Sequence, residues 1–546
     1  MRILYGQKAS PGIAIGDIYY IKRQKANICT RNIDDVQKEL DRVEKAVQEA
    51  VRQLETLKNI ALEKMGSEEA ELFEVHSMML TDLDYRDSIA NIITEEKVNA
   101  EYAVSKTTDI FAQMFLNTES DYMKARAADV HDISGRLLDV LAGNCGFILT
   151  AEKPVIIAAD DLSPSETVQL DKNLVLAFVT SGGSNNSHTA IFARNMGIPA
   201  VVALGEAIGE SSGGKKAIVD GHGAQLYLDP DMGTLEKWSS RRDEEKREKE
   251  ALEALIGLPS RTLDNREIKL FANIGAPSDM EGVLANDAEG IGLFRSEFIY
   301  LGSRDFPTEE RQYAAYRKVV EKMQGRQVII RTFDIGADKQ ADYFKLPREE
   351  NPALGLRALR ICLTRPEIFI TQLRAIYRVS AHGNVLIMFP MVASLWELRE
   401  AKKIAAVARS QLQAENIPFS ENVPLGIMIE TPAAALISDE LAKEADFFSV
   451  GTNDLTQYTL AVDRQNNALG RFTDTHHPAL IKLLELTAKN ARQAGIPIGI
   501  CGELATDMEL TRMFIQMGID ELSVPPPAIL PLRKLIRGIN VSASGN

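Results

Sequence analysis

From Lys269 onward the sequence repeats one beat: a short run of apolar β-formers, a tip of glycine or polar residues, then a longer stretch with helical spacing. The strand-like runs are KLFANIG (269–275), GIGLFRSEF (290–298), QVIIRTFDIG (327–336), VLIMFPMV (385–392), PLGIMIETP (424–432), FFSVGTNDL (447–455), IPIGICGEL (496–504) and ELSVPPPAI (521–529). Parallel strands cannot be joined by tight turns and need helical crossovers, so eight such units over about 280 residues predict a closed (β/α)8 TIM barrel. An open doubly wound sheet is the competing arrangement, and no strand here leads into a GxGxxG turn.

In a barrel of this kind chemistry collects at the C-terminal strand ends. Those ends carry Asn273, Arg295, Arg331, Glu430, Asn453, Asp454, Cys501 and Glu503. Arg295 and Arg331 offer planar forks suited to phosphate or carboxylate. Arg464 in LAVDRQ and Arg357 in GLRALR extend the set. Several arginines at one rim predict an anion site rather than separate salt bridges. Glu430 and Asp454 end strands five and six, so both carboxylates can converge on one hard cation, and Mg2+ takes one or two protein carboxylates plus substrate oxygens and water. Beside arginines that hold a phosphate, such a metal can bridge it. Cys501 at the tip of strand seven is either packing or a proton donor; its position leaves both open.

A chain of 546 residues exceeds what one core supports, so further domains are expected. Residues 1–25 read as short strands broken by Pro11, Gly12 and Gly16. From Ile33 the pattern changes to apolar residues three and four apart (Val36, Leu40, Val43, Val47, Val51, Leu54), with further helical patterns at 68–82, 99–116 and 121–142. Strand patterns resume near Pro154, where Ser163, Pro164 and Glu166 form a capping box with proline at the first helical position. The predicted organisation is multidomain α/β: an α/β body from 1–31 and 144–236, an all-helical insertion at 32–143, a charged helical linker at 237–258 and the barrel at 259–546. The α/β body contains GGSNNSHTAIFARNMGIPAVV (182–202), where His188 opens a helix whose free N–H groups suit an anion. Taken alone, that stretch leaves His188 open between an ordinary helix start and a reactive imidazole.

With 62 Lys and Arg against 77 Asp and Glu, the net charge of −15 opposes nucleic acid and anionic membranes as partners. An anionic substrate must therefore meet a local cationic pocket, which distant charges do not cancel because they are screened beyond about 8–10 Å. The cysteines (Cys29, Cys145, Cys362, Cys501) form no CxxC pair, which predicts free thiols and a cytoplasmic setting. No signal-peptide core or membrane-length apolar stretch is present. His131, His222, His382, His476 and His477 lack metal spacing and are expected in loops or at the surface.

The segments ASPGIA, LSPSET, SHTAIFAR, MGIPAVV, EGIGLFRSEF, RTFDIGADK, ENPALGLRALR, IMIETPAAA, FFSVGTNDLTQYTLAVDR and GICGELA resemble, in order and over nearly the whole chain, Enzyme I of the bacterial sugar phosphotransferase system, the phosphoenolpyruvate-protein phosphotransferases. The resemblance implies a relay. Phosphoenolpyruvate and Mg2+ bind in the barrel, and the phosphoryl group passes to His188 in a swivelling α/β phosphohistidine domain. It then passes to a histidine of the carrier protein HPr, docked on the inserted helices. By the same resemblance Arg295, Arg331, Asn453 and Arg464 hold the substrate, Glu430 and Asp454 hold Mg2+, Cys501 protonates the enolate to pyruvate, and the barrel forms a homodimer. The HPr face corresponds to EEAELFEVHSMML (68–80) and KARAADV (124–130), with Glu68, Glu69, Glu71 and Glu74 making it acidic and His76 and Arg126 at matching positions.

Two departures stand out. Asn185 and Asn186 precede the Ser-His pair where the family has a cation with Thr or Ser, and the chain ends about 30 residues early, which predicts reduced packing of the last helix on the barrel. Pyruvate phosphate dikinase and its relatives also need a nucleotide-binding domain, for which no segment is present. The alternative is a regulatory homologue that binds phosphoenolpyruvate or HPr with impaired transfer.

Overall fold

The computed structural model describes residues 1–21, 28–64, 67–118, 121–143, 151, 153–184, 187–301, 303, 305–336, 341–347, 349–464 and 466–541. The chain forms two compact units, Met1–Arg247 and Glu248–Asn546.

In the first unit, β1 (Arg2–Tyr5), β2 (Gln7–Ser10), β3 (Ile13–Tyr20), β4 (Val155–Ala159), β5 (Val175–Thr180), β6 (Ala200–Val202), β7 (Lys216–Asp220) and β8 (Gln225–Leu228) make one sheet in the order β1-β8-β7-β3-β4-β5-β6-β2. The central β3 to β6 run parallel, and β7 and β8 form an antiparallel hairpin. Every residue of β4 is buried. Ile157 and Phe178 pack on one face and Ile156 and Val179 on the other, as expected of a parallel sheet covered on both sides.

Between β3 and β4 the chain inserts α1 (Val36–Lys64), α2 (Ser67–Thr81), α3 (Leu83–Glu96), α4 (Ala100–Leu116) and α5 (Asp121–Ala142). Their core includes Val47, Leu54, Phe73, Ile89, Val104 and Leu137. The helix α3 is one more than the sequence reading gives. Asp82 starts it by accepting from the backbone N–H of Asp84 (3.0 Å) and Tyr85 (3.2 Å), and Tyr85, Ile89, Ile92 and Ile93 bury its inner stripe. An acidic N-cap followed by that spacing was the available signal.

Next come α6 (Pro164–Val168), with the Ser163/Glu166 capping box in place, α7 (His188–Met196) and α8 (Met232–Glu253). The last starts earlier than the charged stretch suggests, because Asp231 caps it by accepting from the Thr234 N–H at 2.8 Å and Trp238 is buried against Ile13 and Ile218. Its first turns therefore pack on the first unit. The remainder is polar on all sides, which suits a solvated connector.

The second unit is a closed parallel barrel of β9 (Lys269–Ile274), β10 (Gly290–Arg295), β11 (Val328–Arg331), β12 (Val385–Phe389), β13 (Leu425–Ile429), β14 (Phe448–Val450), β15 (Ile498–Ile500) and β16 (Glu521–Val524). Each falls on one of the eight runs read from the sequence, and β16 closes on β9 with Glu521 opposite Lys269. Outward residues such as Ile330, Ile387, Ile427 and Leu522 pack under the helices. Leu293, Ile329, Leu386, Met388, Met428, Phe447 and Cys501 form a smaller cluster of their own. The final helix, Ile529–Gly538, buries Ile529, Leu532, Arg533 and Ile536. There Arg533 donates to the Asp287 carboxylate at 2.5 Å and to the Leu255 carbonyl at 3.1 Å, so this helix is packed on the barrel rather than loosened from it.

Candidate active site

Strand register sets the site. Arg295 and Arg331 are the paired last residues of neighbouring strands β10 and β11, and their environments are opposite. Arg331 is 5% exposed and donates to Glu297 at 3.0 Å, with Asp334 at 3.5 Å. Its Nε has no hydrogen-bond partner among the described residues. Burial opposes its charge, but Glu297, then Asp334, Glu430 and Cys501 outweigh that and hold it firmly protonated. Arg295 is exposed and forms no ion pair among the described residues. One arginine is fixed in place and the other is free to take a ligand.

Beneath them is a charge network that residue spacing foretold only in part. Arg357, 2% exposed, grips Asp334 with two nitrogens: Nη2 lies 3.0 and 2.9 Å from its Oδ1 and Oδ2, and Nε 3.2 Å from Oδ1. It also donates to Asp454 at 3.3 Å and to the Tyr458 hydroxyl at 3.1 Å. A side chain on Gly336 could not coexist with this arrangement: its backbone has φ +117° and a Cβ there would lie 2.5 Å from Cβ of Arg357. Glu297, Asp334 and Tyr458 escaped the sequence reading because none ends a strand. The acidic positions in RSEF and RTFDIG, within three residues of each strand-end arginine, were the available signal.

Glu430 follows β13 directly and is fully buried. Its Oε1 accepts from the Met391 N–H at 2.6 Å, while Oε2 has no partner among the described residues. Burial, then the Asp454 and Asp334 carboxylates, push its carboxyl well above the usual range, against the pull of Arg331 and Arg357. Asp454, third in the helix Thr452–Leu460, holds Arg357 on one oxygen and Arg464 at 3.4 Å on the other. Gly451 leaves the space beside the orphan oxygen open, since a Cβ there would lie 2.9 Å from Oε2. A buried carboxylate oxygen without a partner, next to a second carboxylate, fits a hard cation that completes its shell with water and substrate oxygens. Among the described residues no three His, Cys, Asp or Glu side chains gather as a full protein cage.

Asn453 is fixed to the loop after β15: its Nδ2 donates to Glu503 Oε1 at 3.0 Å and its Oδ1 accepts from the Glu503 N–H at 2.9 Å. Cys501 is 2% exposed, with Sγ 3.6 Å from the Val450 carbonyl. Burial pushes its thiol up to about 12, so it is a thiol and not a thiolate at neutral pH. Asn273 pins it by donating to the carbonyls of Cys501 and Ser523, both at 3.0 Å. The barrel thus gathers Arg331, Asn453, Glu430, Asp454, Arg464 and Cys501 at its C-terminal end, with Arg295 at the rim.

His188 belongs to the other unit. Its backbone is the first residue of α7, capped by Ser187, whose hydroxyl accepts from the Ala190 N–H at 3.4 Å. Its side chain, Asn185 and Asn186 lie outside what the structure describes. On α2, His76 is not on the surface: it is fully buried, with its nitrogens 3.3 Å from Asp129 and 3.6 Å from Asp132. It therefore braces α2 against α5, and does not offer a contact to a partner. The side chains of Glu68 and Glu69 lie outside the described set, Glu71 is exposed, and Glu74 is paired with Lys58 at 2.6 Å. His131 is exposed on α5 rather than in a loop, His382 and His476 are at the surface, and His477 caps the helix Pro478–Ala494.

Three family descriptions cover the chain: PEP-utilising enzyme, N-terminal, over residues 5–126; its mobile domain over 151–223; and its PEP-binding domain over 249–541. The class is that of the phosphoenolpyruvate-utilising enzymes, whose barrels bind the substrate. Among relatives, the chain is 39% identical over 538 residues to the phosphoenolpyruvate-protein phosphotransferase of Priestia megaterium, covering 98% of this chain and 94% of that protein. It is 42% identical to that of Lactococcus lactis subsp. cremoris, with 98% and 94% covered, and 40% identical to that of Geobacillus stearothermophilus, with 98% and 93% covered. The chain belongs to the phosphoenolpyruvate-protein phosphotransferase family. It is a transferase that moves a phosphoryl group from phosphoenolpyruvate to a protein acceptor, and enzymes of this class use a divalent metal. No helix among the described residues is long and apolar enough to cross a membrane.

Proposed function

We propose that the acceptor within the chain is His188 and that the final acceptor is a histidine of HPr, in the first step of sugar uptake by the phosphotransferase system. The observation that carries this reading is the pairing of two arginines, one locked and one free, with a half-satisfied carboxylate pair and a protonated thiol at one barrel mouth. Arg295, Arg331 and Arg464 bind the phosphate and carboxylate of phosphoenolpyruvate, and Asn453 orients it. Glu430 and Asp454 hold Mg2+, which neutralises charge on the transferring group when bound. In-line transfer asks chiefly for such positioning and neutralisation.

Imidazole nitrogen is a nucleophile at neutral pH and gives a reactive phosphoramidate. His188 is the first residue of α7, and the leading N–H groups of a helix favour an anionic group, which supports the lifetime of the intermediate even with asparagines at 185 and 186. The breaking bond leaves an enolate, and Cys501, protonated at neutral pH, delivers the proton that makes pyruvate. The proposed division of labour assigns 1–31 with 144–236 to the phosphohistidine domain, 32–143 to HPr docking, 237–258 to the linker and 259–546 to substrate and Mg2+, working as a cytoplasmic homodimer through the barrel. An HPr with basic residues around its histidine would suit exposed acidic residues such as Glu71.

Incubation with labelled phosphoenolpyruvate and Mg2+, with and without HPr, tests this. Acid-labile, base-stable label on the chain that HPr discharges, and that is absent from His188→Ala, is expected. Label that persists in His188→Ala would remove His188 from the relay, and binding without any label would favour the regulatory alternative.

A further inference from the structure

The barrel interior holds a polar line that the reaction at the mouth does not use. Glu521 is the first residue of β16. In register it stands beside Gly499 on β15, which in turn stands beside Ser449 on β14. Two residues after Gly499, directly past the end of β15 and on the same inward side by strand alternation, is Cys501. Neighbouring strands lie about 4.8 Å apart, and Gly499 contributes no side chain to the gap. Glu521 leans into that space: its Oε1 is 3.3 Å from where a Cβ of Gly499 would be and 2.3 Å from where a Cβ of Gly292 would be. This oxygen is buried and has no hydrogen-bond partner among the described residues, and neither has the hydroxyl of Ser449. Since Ser449 pairs with Gly499, it is the diagonal cross-strand neighbour of Cys501 on the same inward face, and its hydroxyl eases ionisation of the thiol.

The other end of the line opens to solvent. A cavity of about 970 Å³ at the N-terminal ends of the strands, opposite the mouth, is lined by Glu521, Gly499, Phe271, Ile329, Leu386 and Phe447. Its charged groups are Arg266, Lys269, Arg409, Arg492, Glu421, Asp446 and Asp520. Most have other duties. Lys269 pairs with Glu267 at 2.6 Å, Arg266 donates to the Ile515 and Ile519 carbonyls, and Arg409 faces the Tyr377 ring. Asp446 and Asp520 cap strand starts by accepting from the N–H groups of Leu425 (2.7 Å) and Ile498 (3.1 Å). Burial, then the Asp520 carboxylate, push the Glu521 carboxyl up to about 8, so it carries a proton at neutral pH that it can release.

We propose that Glu521 resets Cys501 after each turnover, passing a proton through the Ser449 hydroxyl to the thiolate and recovering it from water in the cavity at the N-terminal end of the barrel. This rests on the reading of Cys501 as the donor to the enolate. When the thiol protonates the enolate carbon, a C–H bond forms and a buried thiolate is left. Ser449 gives its proton to that sulfur and takes one from Glu521, and the resulting carboxylate takes one from cavity water. One solvent proton is consumed per pyruvate. Because product occupies the mouth at that moment, supply from the opposite end avoids waiting for its release. Glu521 touches no substrate atom and is a positioning residue for the proton.

Glu521→Gln keeps the size and loses the exchangeable acid. Pyruvate formation is followed with excess HPr in two regimes, enzyme in excess and substrate in excess, in H2O and D2O. The resident thiol proton serves the first turnover, so the single-turnover rate is expected to stay within about twofold of the native one, while the steady-state rate falls at least about tenfold and gains a solvent isotope effect. Ser449→Ala reproduces the pattern and Glu521→Asp restores much of the rate. Equal steady-state rates for Glu521→Gln and the native chain, or equal losses in both regimes, overturn the proposal. A Cys501→Ala chain that forms pyruvate at the native single-turnover rate overturns the donor role itself, a different failure.

Discussion

Replacing Arg357 by Met tests whether the network beneath the mouth is held by buried charge pairing. The guanidinium has side-chain exposure of 3% against 2% for Asp334 and 9% for Asp454. Its loss leaves Asp334 with Arg331 at 3.5 Å and Asp454 with Arg464 at 3.4 Å. Breaking a buried pair from one side costs about 3–5 kcal/mol, because the remaining charge stays buried and uncompensated. Spread over the unit Glu248–Asn546 at about 2.1 cal/mol/K per residue, that lowers its melting temperature by about 5–8 °C. Calorimetry on the full chain reads this in the transition that phosphoenolpyruvate raises. Adding Asp334→Asn removes the orphaned charge, so the double variant should melt above the sum of the single effects by a coupling of about 2–3 kcal/mol. A single variant melting within about 1 °C of the native chain, or strictly additive effects, would refute the account, since both follow only if the two charges are compensated elsewhere.

Three more expectations follow from particular contacts. Gly451→Ala places a methyl 2.9 Å from Glu430 Oε2, so the metal concentration for half-maximal activity should rise at least about tenfold with little change in melting, as a titration with Mg2+ or Mn2+ would show. In the helical insertion, burial alone would raise the Glu101 carboxyl, but hydrogen bonds from Arg42 and then Asn99 outweigh it and lower it from 4.5 to about 2. Because the folded value is the lower one, the stabilisation is complete above pH 4.5 and is lost as pH falls toward 2. With Arg42 39% exposed, Glu101→Gln should cost about 1–2 kcal/mol at neutral pH and flatten the acid limb of a CD melt series. Asn273→Ala frees two carbonyls beside Cys501 and should slow pyruvate formation several-fold while leaving the affinity for phosphoenolpyruvate within about twofold, read from single-turnover kinetics and equilibrium binding.

Much of the architecture was written locally. Each of the eight barrel strands coincides with a short apolar run, because strand and crossover-helix periodicities are set by near neighbours in sequence. The arginines, carboxylates and thiol followed from one rule, that such a barrel exposes strand ends at a single face. The Ser163 capping box is legible for the same reason: its partners lie within a few residues. Where the reading fell short, the deciding contacts were remote. His76 belongs to a sequence that looks like a surface patch, yet α5, more than fifty residues away, supplies the aspartates that bury it. The partnership of Arg357 with Asp334 and Asp454 spans 23 and 97 residues and has no local periodicity to announce it.

The sequence alone therefore determines the eight barrel strands, most of the helices, the family, and which residue types face the barrel mouth. Tertiary structure decides the state of each group: that Arg331 is locked and Arg295 free, that Glu430 keeps one oxygen unsatisfied, and that Cys501 and Glu521 hold their protons. Protonation and pairing depend on burial and on charges brought within a few ångströms by the closed barrel, and those distances exist only once strands far apart in sequence become neighbours.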